Sequence, residues 1–195
     1  LTLDTGAGTA NLNTNLTGLG NLTVTGSRMA LGNVSANGTV TLSPSTSGNL
    51  TGVLSGNATL TKGGLGTLTL RSADTYSGNT TVNAGVLVLA TADSASTSTV
   101  FVNASGALDV SNLTLTAPSI TLNGGELRIS TGNATIATPI TLSANSTLRA
   151  TGAELNVTSP LNTGVYGIAL AGTGNFTLSN ANNAIALLAS GATVD

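Results

Sequence analysis

Apolar and polar residues alternate along most of this chain. Residues 21–25 place Leu22 and Val24 on one side of an extended backbone, and residues 66–70 do the same with Leu68 and Leu70. The intervening positions hold Thr, Asn or Ser. A period of two residues is typical of half-buried β-strands, and frequent Gly and Asn residues supply turns between them. The pattern therefore predicts an all-β protein built from short strands of about three to six residues, with almost no helix.

Four phrases in the middle of the chain repeat at a constant step. They begin at Val82, Val102, Leu122 and Leu142, which are evenly spaced. A fixed step of about 20 residues is typical of solenoids, whereas a β-sandwich has no reason to keep it. We expect a parallel β-helix of about nine coils of ~20 residues, forming a single domain over residues 1–195 and a rod of roughly 45 Å.

The same step predicts which side chains stack inside the rod. One inward column contains Val82, Val102, Leu122 and Leu142, and the next contains Leu87, Leu108, Leu127 and Leu148. Leu22 and Leu42 fall on the grid of the first column, while Lys62 interrupts it.

Composition narrows the possible functions. Charged residues make up 6% of the chain and the net charge is −2, so there is no basic surface for nucleic acid or acidic lipids. The chain has no Cys and no His, which removes thiolate sites, Ser-His-Asp triads and most zinc sites. No apolar run approaches the ~18 residues of a membrane helix, so we expect no membrane insertion of this segment. Because Leu1 begins directly in a strand-like segment, we expect a processed form or an excised piece.

Residues 60–87 resemble a known family. Lys62, Gly66, Tyr76, Val82 and Gly85 stand where the autotransporter-associated β-strand repeat has them, with Asp74 in place of its more usual Asn. Residues 172–185 are similar to repeats of large secreted haemagglutinin-like adhesins. These resemblances imply a right-handed parallel β-helix in a secreted or cell-surface bacterial protein, where relatives serve as stalks, adhesins or biofilm matrix components. The repeat brings no catalytic residue and no cofactor.

Few groups could carry chemistry. The acids are Asp4, Asp74, Asp93, Asp109, Glu126, Glu154 and Asp195. Neighbouring coils could bring Asp109 and Glu126 close to Arg128, as a surface ion pair or, alternatively, as a catalytic or calcium site. Tyr76 and Tyr166 are either packing residues or platforms for sugars. The Gly-rich segment after Lys62 lacks the ending of a phosphate loop, and we predict no catalytic, metal or cofactor residue.

Asn-x-Ser/Thr triplets are frequent, and each is a possible N-glycosylation site. The alternative is structural, because residues i and i+2 of a strand share the outward side and stacked Asn and Thr form hydrogen-bonded ladders. The asparagines of these triplets are Asn15, Asn21, Asn33, Asn37, Asn49, Asn57, Asn79, Asn103, Asn112, Asn133, Asn145, Asn156 and Asn175.

The sequence thus favours a structural role without enzymatic activity. The protein would be an extracellular rod, either a segment of a surface adhesin or stalk, or a filament subunit. Its partner would be itself, stacking head to tail through strands at residues 1–4 and 184–189 or continuing a longer parent solenoid, and possible further partners are host or matrix glycans. The alternatives are a polysaccharide-acting β-helix enzyme and a carbohydrate-binding module.

Overall fold

A computed structural model describes residues 1–95, 98–151, 154–179 and 187–189 of the chain, the last three and Asp93 by their backbone. Within these ranges there are short strands and one 3₁₀ turn at Ala92–Ala95. In chain order the strands are β1 (Thr2–Asp4), β2 (Thr9–Leu12), β3 (Leu16–Leu19), β4 (Leu22–Leu31), β5 (Val34–Ala36), β6 (Thr39–Leu50), β7 (Leu54–Ser55), β8 (Thr59–Lys62), β9 (Thr67–Leu70), β10 (Thr80–Leu89), β11 (Thr99–Asp109), β12 (Thr114–Leu115), β13 (Ser119–Asn123), β14 (Glu126–Ile129), β15 (Ala134–Ile136), β16 (Ile140–Ala144), β17 (Ser146–Ala150), β18 (Glu154–Val157), β19 (Leu161–Asn162), β20 (Ile168–Gly172), β21 (Asn175–Leu178) and β22 (Leu187–Ala189).

The strands form three faces of a parallel β-solenoid of about nine turns. Face A contains β1, the first halves of β4, β6, β10 and β11, and then β8, β13, β16 and β19. Face B contains β2, the second halves of the same four long strands, and then β9, β14, β17, β20 and β22. Face C contains β3, β5 and β7 and, further along, β12, β15, β18 and β21. The predicted parallel solenoid is therefore confirmed, and the hand of the coil stays a prediction.

Both predicted inward columns are present. Val82 pairs in register with Val102, Val102 with Leu122, and Leu122 with Leu142. Leu87, Leu108, Leu127 and Leu148 stack in the same way on face B. All of these side chains are buried, because each coil returns the chain to the same place one strand spacing higher and covers its neighbour's apolar side.

The prediction of uniformly short strands is wrong for four elements. β4, β6, β10 and β11 have 10 to 12 residues and pass from face A to face B without a break. Register shifts between Gly26 and Arg28 and between Val82 and Ala84 bend the strand at this corner. A bulge turns the chain while its neighbours remain hydrogen-bonded, so small residues at the corner do not end the strand.

The N-terminal grid also needs correction. Leu22 pairs with Val40 and not with Leu42, which pairs with Val24. The coil is shorter here because its corners at residues 27 and 32–33 each contain one residue fewer than the same corners of the next coil. The inward column of Val82 therefore continues through Leu42 to Val24, and Leu22 belongs to the neighbouring column.

Face C is interrupted in the middle of the rod. Its strands form a three-stranded sheet, β3-β5-β7, and a separate four-stranded sheet, β12-β15-β18-β21. Residues 71–79 and the 3₁₀ turn at Ala92–Ala95 lie between the two sheets. Faces A and B continue past this point as one sheet of 15 strands. The interruption falls within the coils that begin at β8 and β10.

Candidate functional site

Lys62 lies inside the core, in the inward column of face A. It pairs in register with Leu42 on one side and with Val82 on the other, and its side chain is fully buried. The expectation that Lys62 interrupts this column is therefore wrong: its aliphatic stem fills the position of a leucine. Its ammonium group donates hydrogen bonds to the carbonyl oxygen of Gly63 and, at 2.9 Å each, to those of Gly64 and Ala84.

Glycines at the corner between faces A and B make this carbonyl cage possible. Gly64 and Gly85 have φ of +64° and +67°, and a Cβ atom on Gly64 would overlap the carbonyl oxygen of Pro44. Burial lowers the pKa of Lys62 to about 8, while the three carbonyl oxygens stabilise the charged form. Because Lys62 points at its own backbone, the Gly-rich segment offers no cation to a phosphate.

Asp74 lies at the interruption of face C and is 3% exposed. Its Oδ1 accepts a hydrogen bond of 2.7 Å from the backbone N–H of Leu54 in β7. Within the described residues, its buried Oδ2 has no hydrogen-bond partner. Burial raises the pKa of Asp74 to about 7, although the bond from Leu54 acts in the opposite direction. Face C has no strand at this point, and Asp74 supplies one hydrogen-bond acceptor to the edge of β7.

A chain of hydroxyl groups crosses the core beside Asp74. The Tyr76 hydroxyl is hydrogen-bonded to Thr80 Oγ1, which lies 3.0 Å from Ser98 Oγ. Thr80 occupies the second inward column of face A, between Leu60 and Val100. We call Lys62, Asp74, Tyr76, Thr80 and Ser98 the polar belt; all of them are buried.

The two tyrosines have different surroundings. Tyr76 is fully buried and serves as a packing residue, so it cannot stack on a sugar. Burial raises the pKa of its hydroxyl, chiefly because the phenolate would lose its hydration. Tyr166 is 36% exposed on the loop between β19 and β20, beside the exposed Val165. Only Tyr166 keeps the alternative of a sugar contact.

The predicted proximity of Asp109, Glu126 and Arg128 is confirmed on face B. Arg128 Nε lies 3.2 Å from Asp109 Oδ2, and Arg128 Nη1 lies 3.7 Å from Glu126 Oε1. Arg149 Nε in the next coil lies 2.8 Å from Glu126 Oε2. Each carboxylate therefore faces a guanidinium, which favours the ion-pair interpretation over a general acid or base. Among the described residues, no three His, Cys, Asp or Glu side chains form a metal-binding group.

The remaining acids lie apart from this cluster. Asp4 is exposed and accepts a hydrogen bond from the backbone N–H of Gly6, which holds its pKa below the ordinary value. Glu154 on face C accepts a hydrogen bond of 2.7 Å from Thr177. The side chain of Asp93 and the whole of Asp195 lie outside the described residues, as do residues 184–186 of the predicted C-terminal pairing segment.

Stacked asparagines form a ladder at the corner between faces A and B, as the sequence predicted. Asn103 donates to Asn83 Oδ1 at 2.7 Å, and Asn123 donates to Asn103 Oδ1 at 3.0 Å. Ser143 extends the ladder by donating to Asn123 at 3.3 Å. Asn103 and Asn123 thus each bond to the coil below and the coil above, as in other stacked parallel strands.

The possible glycosylation sites lie along the surface. Asn49, Asn103 and Asn156 are half-buried, and the other asparagines of the triplets are exposed. The side-chain nitrogens of Asn33, Asn103 and Asn112, to which a glycan would attach, donate hydrogen bonds within the chain. Several others accept a backbone N–H from the next coil, as Asn145 does from Gly167. Glycosylation stays a prediction, and the structural use of these asparagines is visible.

The part of the chain that the structure describes has a single helical segment of four residues, and no helix long and apolar enough to cross a membrane. Sequence reasoning missed the burial of Lys62 and the Tyr76–Thr80–Ser98 contacts. The available signal was the position of Lys62, one repeat before Val82 in a column that is otherwise aliphatic.

Comparison with known families agrees with this architecture. Residues 60–89 match the model of the passenger-associated-transport-repeat family, which covers β8, β9, β10 and most of the polar belt. This is a structural repeat of passenger domains and not an enzyme family. No curated protein and no solved structure matches the chain significantly. Residues 60–89 are thus similar to a passenger-associated transport repeat, and they lie within a longer β-solenoid.

Proposed function

We propose that this chain is a structural rod segment of a secreted or surface-displayed passenger domain, acting as part of a stalk or adhesin. The observation that carries the proposal is the unbroken parallel ladder of faces A and B, which encloses one aliphatic core and contains a passenger-type repeat. Such a ladder holds its two ends at a fixed distance, roughly 45 Å for nine coils. In this proposal the rod sets the distance between the segments at its two ends and displays them away from the surface.

The polar belt suits a rod that must assemble in one register. Lys62 has all three of its acceptors only when the carbonyl of Ala84 in the next coil lies beside those of Gly63 and Gly64. A coil slipped by one residue would remove the Ala84 acceptor from this buried charge, which is unfavourable. We therefore assign to Lys62 the role of fixing the pairing between the coils that begin at β8 and β10.

The first coil supports end-to-end contact. β1, β2 and β3 are each hydrogen-bonded along one edge, to β4 and β5. Their other edges are competent to pair with a preceding coil, either of a longer parent chain or of another copy. In this proposal the contact is heterologous and propagates along the rod axis, so a filament is the self-assembled form.

The test combines shape with location. Small-angle scattering and negative-stain electron microscopy of the purified protein should show rods, extended by head-to-tail contacts, and protease treatment of intact cells that produce the parent protein should remove the segment. Globular particles, or a segment resistant to such treatment until lysis, would contradict the proposal. So would cleavage of pectate or alginate that is lost in Asp109→Asn but kept in Asp4→Asn, because the enzyme alternative would then hold.

The proposed surface partners are tested separately. Binding of host or matrix glycans by the purified rod on a glycan array would support an adhesin, and binding lost in Tyr166→Ala would place the contact at the exposed loop. The intact mass decides glycosylation, since an unmodified chain has a mass of 18.9 kDa.

A further inference from the structure

The outer surface of face A carries a continuous row of threonines. One outward residue in each of seven successive coils pairs in register with the next, and all but one of these residues are threonine. We call them the threonine row: Thr23, Thr41, Thr61, Thr81, Phe101, Thr121 and Thr141. Because adjacent strands lie ~4.8 Å apart, the row is a straight line of methyl and hydroxyl groups, interrupted once by the ring of Phe101.

Face A is also free of exposed charge over these seven coils, whose face A residues the structure describes in full. Its one charged side chain there, Lys62, points inward and is buried. The charges of Arg28, Glu126, Arg128 and Arg149 lie on face B. Surface charge prevents flat β-surfaces from associating, and face A lacks it over these seven coils, while its exposed Asp4 lies in the coil before them. A neutral hydroxyl surface is also much cheaper to desolvate than a charged one.

The hydroxyl groups on this face are of two kinds. In the flanking positions, Thr59 bonds to Thr39 at 3.3 Å and Ser119 bonds to Thr99 at 3.2 Å. The hydroxyls of the threonine row make no hydrogen bond within the described part of the chain. A hydroxyl both donates and accepts, so the row is complementary to a second copy of itself turned through a two-fold axis. Such an isologous contact closes after two molecules.

The available area is close to the minimum for a specific interface. Seven coils of ~4.8 Å and strand segments of about five residues at ~3.3 Å give about 550 Å² for each copy. The total of about 1,100 Å² just exceeds the roughly 1,000 Å² expected of a biological contact. We propose that two copies of this chain pair laterally and antiparallel through face A, with Thr81 near the two-fold axis. This contact goes beyond the end-to-end association proposed above and rests on face A alone.

Two double variants of matched charge test the contact. Thr61→Lys with Thr121→Lys places two charges on the threonine row. Thr67→Lys with Thr135→Lys places them in the same two coils, on faces B and C. In sedimentation equilibrium, the mass of the wild type should rise with concentration from the 18.9 kDa of one chain, and lateral pairing should double whatever mass end-to-end stacking produces. The control variant should follow the wild type, and the face A variant should have about half the mass of the wild type at the same concentration, with an unchanged circular dichroism spectrum.

A second measurement locates the axis. Packed sheets lie ~10 Å apart. A bis-maleimide of that span should therefore join two copies of Thr81→Cys and should not join copies of Val88→Cys, which places the thiol on face B of the same coil. A wild type that stays monomeric at all concentrations would overturn the lateral contact, as would equal loss of association in both lysine variants. Either result would leave the rod itself, seen by scattering, untouched.

Discussion

The buried carboxyl group of Asp74 makes the stability of this rod dependent on pH. Its folded-state pKa is raised by burial to about 7 from the ordinary value of 3.8, so the folded chain holds a proton that the unfolded chain releases. Between these two values the folded state binds more protons, and the free energy of unfolding falls as pH rises. The stabilising effect of this proton is complete below the unfolded-state pKa and is lost as pH rises through the folded-state pKa.

The size of the effect follows from the two pKa values. At about 1.4 kcal/mol per pH unit, the whole interval corresponds to about 4 kcal/mol, and the part between pH 5 and pH 8 to about 3 kcal/mol. Asp74→Asn keeps an acceptor oxygen for the N–H of Leu54 and carries no charge. We therefore expect the variant to be more stable than the wild type by about 4 kcal/mol at pH 8, and by only about 1–2 kcal/mol at pH 5.

Urea unfolding followed by circular dichroism at pH 5 and pH 8 measures this difference. Asp4→Asn is the control, because Asp4 is exposed and its pKa is already below the ordinary value; its stability should change with pH as the wild type does. Lys62 does not interfere, since its lowered pKa of about 8 affects stability only between that value and the ordinary 10.5. Parallel pH profiles for the wild type and Asp74→Asn would refute the reasoning.

Three further predictions concern stacking and buried charge. Gly85→Ala should cost several kcal/mol more in urea unfolding than Gly18→Ala, because both have similar positive φ (+67° and +68°) but only at Gly85 would the new Cβ meet backbone atoms; equal costs would show that dihedral strain alone matters. Lys62→Ala should destabilise by about 3 kcal/mol through a cavity and unpaired carbonyls, and Lys62→Met by clearly less. Arg128→Met leaves the buried Asp109 without its ion-pair partner, with only the hydrogen bonds from Ser111. This substitution should lower the free energy of unfolding by about 2–3 kcal/mol at neutral pH, and adding Asp109→Asn to the same chain should recover most of that stability.

The 20-residue period of the sequence was enough to predict the architecture, because residues one period apart occupy equivalent positions in successive coils and stack on one another. Val82, Val102, Leu122 and Leu142 could be assigned to one column from their spacing alone, and the ion pair of Asp109 and Arg128 followed from the same coil length. The shorter step from Leu22 to Val40 could not be predicted in this way. A shorter corner changes the pairing register, but it leaves the alternation of apolar and polar residues within the strands unchanged.

The burial of Lys62 could not be predicted from the sequence, for a physical reason. A lysine in an aliphatic column is ordinarily excluded because its charge costs too much to bury. Here the corner glycines direct three carbonyl oxygens into the core, and the direction of a carbonyl depends on backbone dihedral angles that the sequence pattern does not show. The same holds for Asp74, whose acceptor role appears only once the edge of β7 is in place.

The interruption of face C has a mechanical consequence. A pull along the rod axis loads the hydrogen bonds between coils in line, and an opened coil of ~20 residues releases about 65 Å of chain in place of ~4.8 Å of rise. On face C, the coil that begins at β8 is hydrogen-bonded to the preceding coil, through Thr75 to Leu54 and Ser77 to Gly56. The coil that begins at β10 has a 3₁₀ turn there in place of a strand, so the face C ladder stops at this point while faces A and B continue. We therefore expect the rod to yield first at this point, lengthening by discrete steps while the coils on either side remain folded.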